Sequence, residues 1–394
     1  MNRTVILVST PIKPDLVAAI AAQQAPRRDY FELQRLLDAT LLVAPAPPSR
    51  RYRTLQRVGG AGLAMAAHAW ARRGEYDTIL TDHEGVGLPL ALLFKLTGTR
   101  RHHVMISHYL TPRRKQFFFR TLRVQTHIAR TICYSTAQAA LARGPLGLGL
   151  GEVSLVLHPA DSAFWRPATS DAERDQDTQL LHAAGLTLPP HAVVIASAGL
   201  EFRDYPTLLA AVPQLSSTTR VVIAAASPWS KRKDTAGGRD LPPNVQRVAL
   251  TPLQLRALYR RAQLVAIPLY DVDFQAGSLV AYEALACGRP VVISHTRGQN
   301  DIVRADETGC YVPPGDSAAL ATALTTLLAD PARCARMGAA ARADVEAGLN
   351  LDTYLAQMVQ FVTEVGARRI AHGSGGGTAL VAAPGTANEQ GGIG

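Results

Sequence analysis

Twelve short runs of β-branched and other apolar residues recur along the chain, separated by longer segments with helical periodicity. They fall in two sets, at 4–8, 40–44, 78–82, 103–108, 131–135 and 153–157, and then at 193–198, 220–226, 245–250, 264–269, 290–294 and 309–312. Within each run the apolar residues are consecutive rather than alternating. A strand with one wet face alternates, whereas a strand covered by helices on both faces does not. The pattern predicts two successive α/β sandwiches, each a parallel sheet between helical layers. A chain of 394 residues, 47% hydrophobic, has the length and apolar content for two such cores. The polar stretch 169–179 reads as a linker between them. In open parallel sheets ligands collect beyond the carboxyl ends of the strands. That rule selects Ser9 and Thr10, the trio Asp82, His83 and Glu84, His108, the segment 199–203 and the block after Leu269. Two such edges facing each other make a cleft.

Residues 274–315 read FQAGSLVAYEALACGRPVVISHTRGQNDIVRADETGCYVPPG. A glycine-bearing loop leads into a helix opening at Gly277, Ser278 and Leu279, and a buried strand comes after it at 290–294. Unpaired N–H groups at a helix start sit at the positive end of the helix dipole and hold a diphosphate without a cation. Gly277 lets the anion approach the backbone. Glu283, five residues into the helix, lies at a depth where a carboxylate accepts hydrogen bonds from two neighbouring ribose hydroxyls. So apolar a helix does not suit a merely solvated Glu.

This block resembles the nucleotide-binding block of the retaining glycosyltransferases of family 4. Their pattern is a Glu, seven residues, a second Glu, then Ala-hydrophobic-Ala-x-Gly-x-Pro-Val-Val. Glu283 stands at the second Glu, ALACGRPVV at 284–292 matches the remainder of that pattern, and Gln275 replaces the first Glu. The resemblance implies an α/β fold of the GT-B type, two Rossmann-like doubly wound domains facing a central cleft. It also implies transfer of a hexose-type sugar from a nucleotide diphosphate sugar with retention, needing no cofactor and no metal. Gln275 is then a donor-sugar contact whose neutral amide replaces a carboxylate. Segment 199–209, GLEFRDYPTLL, is similar to the loop where the family places phosphate-binding cations; Arg203 stands near the expected place, Leu200 occupies the usual Arg position, and Lys231, Arg232 and Lys233 are substitutes. LHPADSAFWRP at 157–167 is similar to the interdomain hinge, with Asp161, Phe164 and Pro167 in matching places. The implied division is an acceptor-side domain at 1–167, a donor domain at 168–350, a helix at about 351–367 crossing back onto the first domain, and a disordered Gly- and Ala-rich tail at 368–394.

On the opposite wall, His108 comes just after an apolar strand and is expected to point into the cleft, like the family's cleft histidine; the alternative is a histidine satisfying backbone groups at a strand end. Asp82, His83 and Glu84 are candidates for the acceptor pocket, or for helix capping. Asp271 and Asp273 have the spacing of a cation-binding Asp-x-Asp, but a helix terminus already supplies the anion site and loop capping explains them better. Gly85 and Gly87 lack the third glycine of a dinucleotide fingerprint.

Net charge is +10, and residues 1–165 hold 21 Lys and Arg against 10 Asp and Glu, which leaves 20 against 21 for the remainder. The excess belongs to the first half, so an anionic partner is expected there: a phosphorylated acceptor or an anionic membrane surface. The run 113–120, RRKQFFFR, interleaves cations with rings as a headgroup region favours. No nucleic-acid-binding module is visible. Four scattered cysteines, no signal-peptide pattern and no apolar stretch near the roughly 20 residues of a membrane span lead us to expect a reduced, cytoplasmic protein, peripheral on the inner membrane face at most. Two rival readings stay open. One is a nucleotide-sugar epimerase or phosphorylase of the same fold, and the other is a catalytically inert donor-binding partner subunit.

Overall fold

The computed structural model describes residues 3–9, 12–45, 48–225, 240–298 and 301–367. The expected tail at 368–394, Thr10 and the substitute cations Lys231, Arg232 and Lys233 lie outside the described residues. Each of the twelve apolar runs is a strand, with ends differing by at most two residues from those expected. The first set comprises β1 (Thr4–Val8), β2 (Thr40–Val43), β3 (Thr78–Thr81), β4 (His102–Ser107), β5 (Arg130–Cys133) and β6 (Val153–Leu155). The second comprises β7 (Val193–Ala198), β8 (Thr219–Ala224), β9 (Val245–Val248), β10 (Leu264–Ile267), β11 (Val291–Ser294) and β12 (Gly309–Val312).

All neighbouring strands pair in parallel, in the orders β2-β1-β3-β4-β5-β6 and β12-β11-β10-β7-β8-β9. Each order reverses direction once, between β1 and β3 and between β7 and β10. At such a point the loops leave the sheet to opposite sides and open a crevice, which is where doubly wound sheets take their ligands.

Both faces of the first sheet are covered, which accounts for the consecutive apolar residues. Ile6, Val8, Leu80, Val104 and Ile106 point to one side and meet the helix Leu351–Ala367 through Leu355, Met358 and Val362. Val5, Leu7 and Ile79 point to the other and meet the helices Arg50–Ala71 and Glu84–Leu96. The chain's last described helix is therefore part of the first sandwich. Arg27 fastens it there, contacting Asp161 at 3.0 Å and Asp352 at 2.8 Å.

The stretch expected as a linker is instead a helix, Asp171–Ala183, opened by Ser170, whose hydroxyl accepts from the Glu173 N–H. Most of its polar residues face solvent. Asp177 is buried and matched by Arg260 at 3.3 Å, while Leu181 enters the second core. A helix that anchors through the ion pairs of Glu173 and Asp177 and few apolar residues has the composition of a linker. The two sandwiches touch along the cleft mouth. Gln138 donates to the Asp273 carbonyl at 3.1 Å, and the Thr136 N–H and hydroxyl both reach the Asp301 carboxylate at 2.8 Å. The Tyr109 and Phe274 rings lie 4.6 Å apart.

Candidate functional site

The second-domain wall is built at the β7/β10 crevice. The helix Ser278–Ala286 opens on Gly277, which has a left-handed backbone, φ +77°. A Cβ there would stand 3.0 Å from Ile267 Cγ2 and 3.2 Å from the Arg203 guanidinium, so both conformation and space call for glycine. No side chain caps this helix start, which leaves its first N–H groups without an intrahelical partner, and Leu279 lines the cleft cavity.

Arg203 differs from the expectation of a cation on the open phosphate site. It is buried, its Nε donates to the Ala198 carbonyl at 2.7 Å and one terminal nitrogen to the Glu201 carbonyl at 2.9 Å. It bridges backbone to Leu269. Lying between Gly199 and Gly277, it holds the two loops of the crevice together and adds positive potential from beneath. A single arginine in a loop motif gives no sign in sequence of whether it faces up or down.

Glu283 is buried at 6% exposure and accepts one hydrogen bond, from the Tyr259 hydroxyl at 3.3 Å. Burial pushes its pKa up to about 8, against the Tyr259 hydrogen bond and the Arg28 and Arg203 charges, which pull it down. Gln275 is buried nearby, and neither its Oε1 nor its Nε2 finds a partner among the described residues. Asp271 is taken by Arg297, 3.1 Å from its Nε, and acts as a loop tie.

The first-domain wall forms at the β1/β3 crevice. Asp82 sits there, its Oδ2 accepting from the Ser9 N–H at 2.7 Å and the Ser9 hydroxyl at 2.5 Å, while its buried Oδ1 has no partner among the described residues. His83 turns back and accepts from Gly85 N–H at 2.8 Å, capping the next helix. Glu84 lies behind the wall, accepting from the His108 N–H at 2.9 Å and paired with Lys115 at 2.5 Å. Burial works to raise its pKa, but the His108 and Lys115 charges outweigh it and hold the carboxyl below its ordinary range. Of the three acceptor-side candidates, Asp82 alone lines the cleft cavity. His83 caps the helix and Glu84 is engaged by His108 and Lys115, and neither is on the cavity lining.

His108 does line the cavity, with its Nε2 3.2 Å from the Asp82 carbonyl and its ring edge-on to Tyr134 at 4.8 Å. Tyr134 stands between His108 and His158, 5.0 Å away, and its hydroxyl meets that of Tyr354 at 3.0 Å. Burial pushes His158 down to about 4, so it is neutral at pH 7. Tyr354 also reaches Asp29, at 3.4 Å, and burial raises the Asp29 pKa. Sequence reading missed Asp29, Tyr134, His158 and Tyr354. They come from four distant segments, and only the hinge string around His158 carried any signal.

The two walls enclose a cavity of about 300 Å³, with Leu279 and Glu283 on one side and Asp29, Asp82 and His108 on the other. That is the lower end of small-molecule sites. The basic-aromatic stretch is split by its helix, Arg113–Arg120. Lys115 is spent on Glu84 and Phe119 is buried, while Arg113, Arg114, Arg120 and Phe117 remain exposed. No helix among the described residues is long and apolar enough to cross a membrane.

Residues 191–330 match a family model described as "Glycosyl transferases group 1". Curated relatives include D-inositol 3-phosphate glycosyltransferases of Xylanimonas cellulosilytica, 31% identical over 53% of this chain and 52% of that protein, and of Salinispora tropica, 34% identical over 48% and 42%. The chain thus spans about half the length of the curated relatives it matches. In three dimensions it resembles Anabaena Alr3699/HepE in complex with UDP-glucose, with TM-score 0.67, 16% identity, and coverage of 92% of this chain and all of that one. Sucrose-phosphate synthase of Thermosynechococcus elongatus is similar at TM-score 0.69 and 19% identity, covering 92% and 99%. These likenesses make the fold GT-B, and residues 191–330 are similar to the group 1 glycosyl transferases.

Proposed function

We propose that the protein is a retaining, metal-independent glycosyltransferase that moves a hexose-type sugar from a nucleotide diphosphate sugar to an acceptor hydroxyl. The observation that carries this reading is the uncapped helix start at Gly277 with Glu283 buried one turn further in, both at the crevice of the second sheet. The group 1 match over 191–330 and the UDP-glucose named for a structural neighbour support a nucleotide-sugar donor.

In this reading the N–H groups of Ser278 and Leu279 hold the diphosphate, and Glu283 accepts from the ribose hydroxyls. Gln275 offers its unpaired amide to the sugar. As the bond from the anomeric carbon to the diphosphate oxygen breaks, the leaving group gains charge. The helix start and the buried Arg203 stabilise that charge where water is excluded. The acceptor oxygen bonds the anomeric carbon on the face being vacated, and its proton passes to the departing phosphate oxygen. His108 orients the reactants from the opposite wall. Contact with an anionic membrane surface would fall to Arg113, Arg114, Arg120 and Phe117, and sedimentation with anionic vesicles at low salt tests it.

The test is incubation with UDP-, GDP-, TDP- and ADP-sugars in the presence of EDTA, with NMR of the product anomer. Transfer with retained configuration is expected. Inverted product, or activity only after a divalent ion is restored, contradicts the proposal. Consumption of donor with no acceptor would instead mark an epimerase.

A further inference from the structure

On the first-domain side of the cleft cavity stand two carboxylates, Asp29 and Asp82, that the donor reading leaves unused. Asp82 is held rigidly by two hydrogen bonds from Ser9 to one oxygen, so the other oxygen is fixed in place, buried and without a partner among the described residues. Asp29 begins the helix Asp29–Leu36 and borders the same cavity. Its carboxyl lies within electrostatic reach of Asp82, whose charge adds to burial in raising it. Around these two carboxylates the wall carries the apolar side chains of Ile6, Val8, Leu80 and Ile106 and the Tyr134 ring, with Arg28 and His108 also on the lining.

A pair of carboxylates over apolar walls suits a ring that carries vicinal hydroxyls on its edge and C–H groups on its faces. It does not suit a phosphate. The arginines at the cavity are Arg27 and Arg28, against Asp29, Asp82 and Asp161, and Arg27 is already matched by Asp161 and Asp352. A phosphate monoester here would add its charge to that acidic excess in a poorly hydrated space.

We infer that Asp29 and Asp82 form the acceptor subsite and that it takes an uncharged polyhydroxy ring, a sugar or cyclitol, by accepting hydrogen bonds from its hydroxyls. This rests on the glycosyltransferase reading for the word acceptor, while binding of the polyol itself does not. The basic excess of the first domain therefore serves something other than this side of the cavity.

The experiment is calorimetry and saturation-transfer NMR on the full chain, with and without UDP, using methyl hexosides and myo-inositol and then their phosphate monoesters. Neutral polyols are expected to bind. Asp82→Asn and Asp29→Asn should weaken them roughly tenfold or more, the loss of a charge-assisted hydrogen bond, while UDP affinity stays within about twofold. Asp82→Asn keeps an oxygen for the Ser9 donors, so the fold should hold. Ser9→Ala, which keeps the charge but frees the carboxylate, gives a second reading and should produce a smaller loss of the same sign. Tighter binding of the phosphate esters, no binding of any neutral polyol, or unchanged affinity in all three variants would overturn the inference. Polyol binding that depends on Asp82 in a protein that binds no nucleotide would keep this subsite and sink the donor reading instead.

Discussion

Replacing Glu283 by Gln separates charge from shape at the centre of the donor wall. The carboxyl is buried with a pKa of about 8 and one hydrogen bond, from Tyr259. In the unliganded protein at pH 7 it is mostly protonated, so Gln is close to isosteric with the resident form and the fold should be kept. A ribose diol binds best to the ionised form, and ionising it costs about tenfold in affinity for each pH unit below 8. Nucleotide affinity of the unaltered protein should therefore climb about tenfold from pH 6.5 to 7.5 and level off above 8.5. Glu283→Gln should lose about 1.5 to 3 kcal/mol at pH 8.5, the worth of hydrogen bonds to a charged acceptor, and show a flat profile. The gap should close toward pH 6.5. Titration calorimetry with the nucleoside diphosphate in buffers of differing ionisation enthalpy reads both affinity and proton release. Equal affinities at pH 8.5, or the same pH slope in the variant, would refute the assignment.

Gly277→Ala forces a Cβ into a left-handed position 3.0 Å from Ile267. It should cost about 1 to 2 kcal/mol of stability, read as a lowered unfolding midpoint, and more of nucleotide affinity because the helix start must shift. Lys115→Met leaves Glu84 buried behind His108 without its cation. In the unaltered protein the Glu84 pKa is depressed, so its stabilisation is present above the ordinary Glu pKa and fades as pH falls through the folded value. In the variant the folded pKa is raised, so stability should drop by about 3 kcal/mol near neutrality and drop further as pH rises, in midpoints taken from pH 5 to 9. Asp301→Ala removes the latch to Thr136 between the sandwiches. Small-angle scattering should show a larger radius of gyration, and nucleotide binding to the second domain should be unchanged.

The sheets were legible because the central strands are buried on two faces, and consecutive apolar runs carry that signature without help from tertiary context. The helix Asp171–Ala183 was not, because its place depends on Asp177 meeting Arg260, more than 80 residues away in sequence. The proposed donor wall could be located because Gln275, Gly277 and Glu283 lie within one loop and one helix. Of the opposite wall only Asp82 and His108, each just beyond a strand end, could be read. Asp29, Asp82, His108, His158 and Tyr354 are gathered by the β1/β3 crevice, the hinge and a helix returning from the far end of the chain. Arg203 shows a third limit: sequence placed it at the right loop, but its direction depends on whether nearby carbonyls claim its donors, as those of Ala198 and Glu201 do.

The central claim is that a helix start and a buried carboxylate make a donor site that works without a metal. Thermal unfolding of the full chain in EDTA with UDP, GDP, TDP and ADP in turn, repeated with magnesium, addresses it directly. One nucleotide should raise the midpoint in EDTA, by an amount equivalent to about 2.7 kcal/mol at 100 times its dissociation constant, and magnesium should add nothing. A shift seen only with magnesium, or no shift with any of the four, would contradict the account.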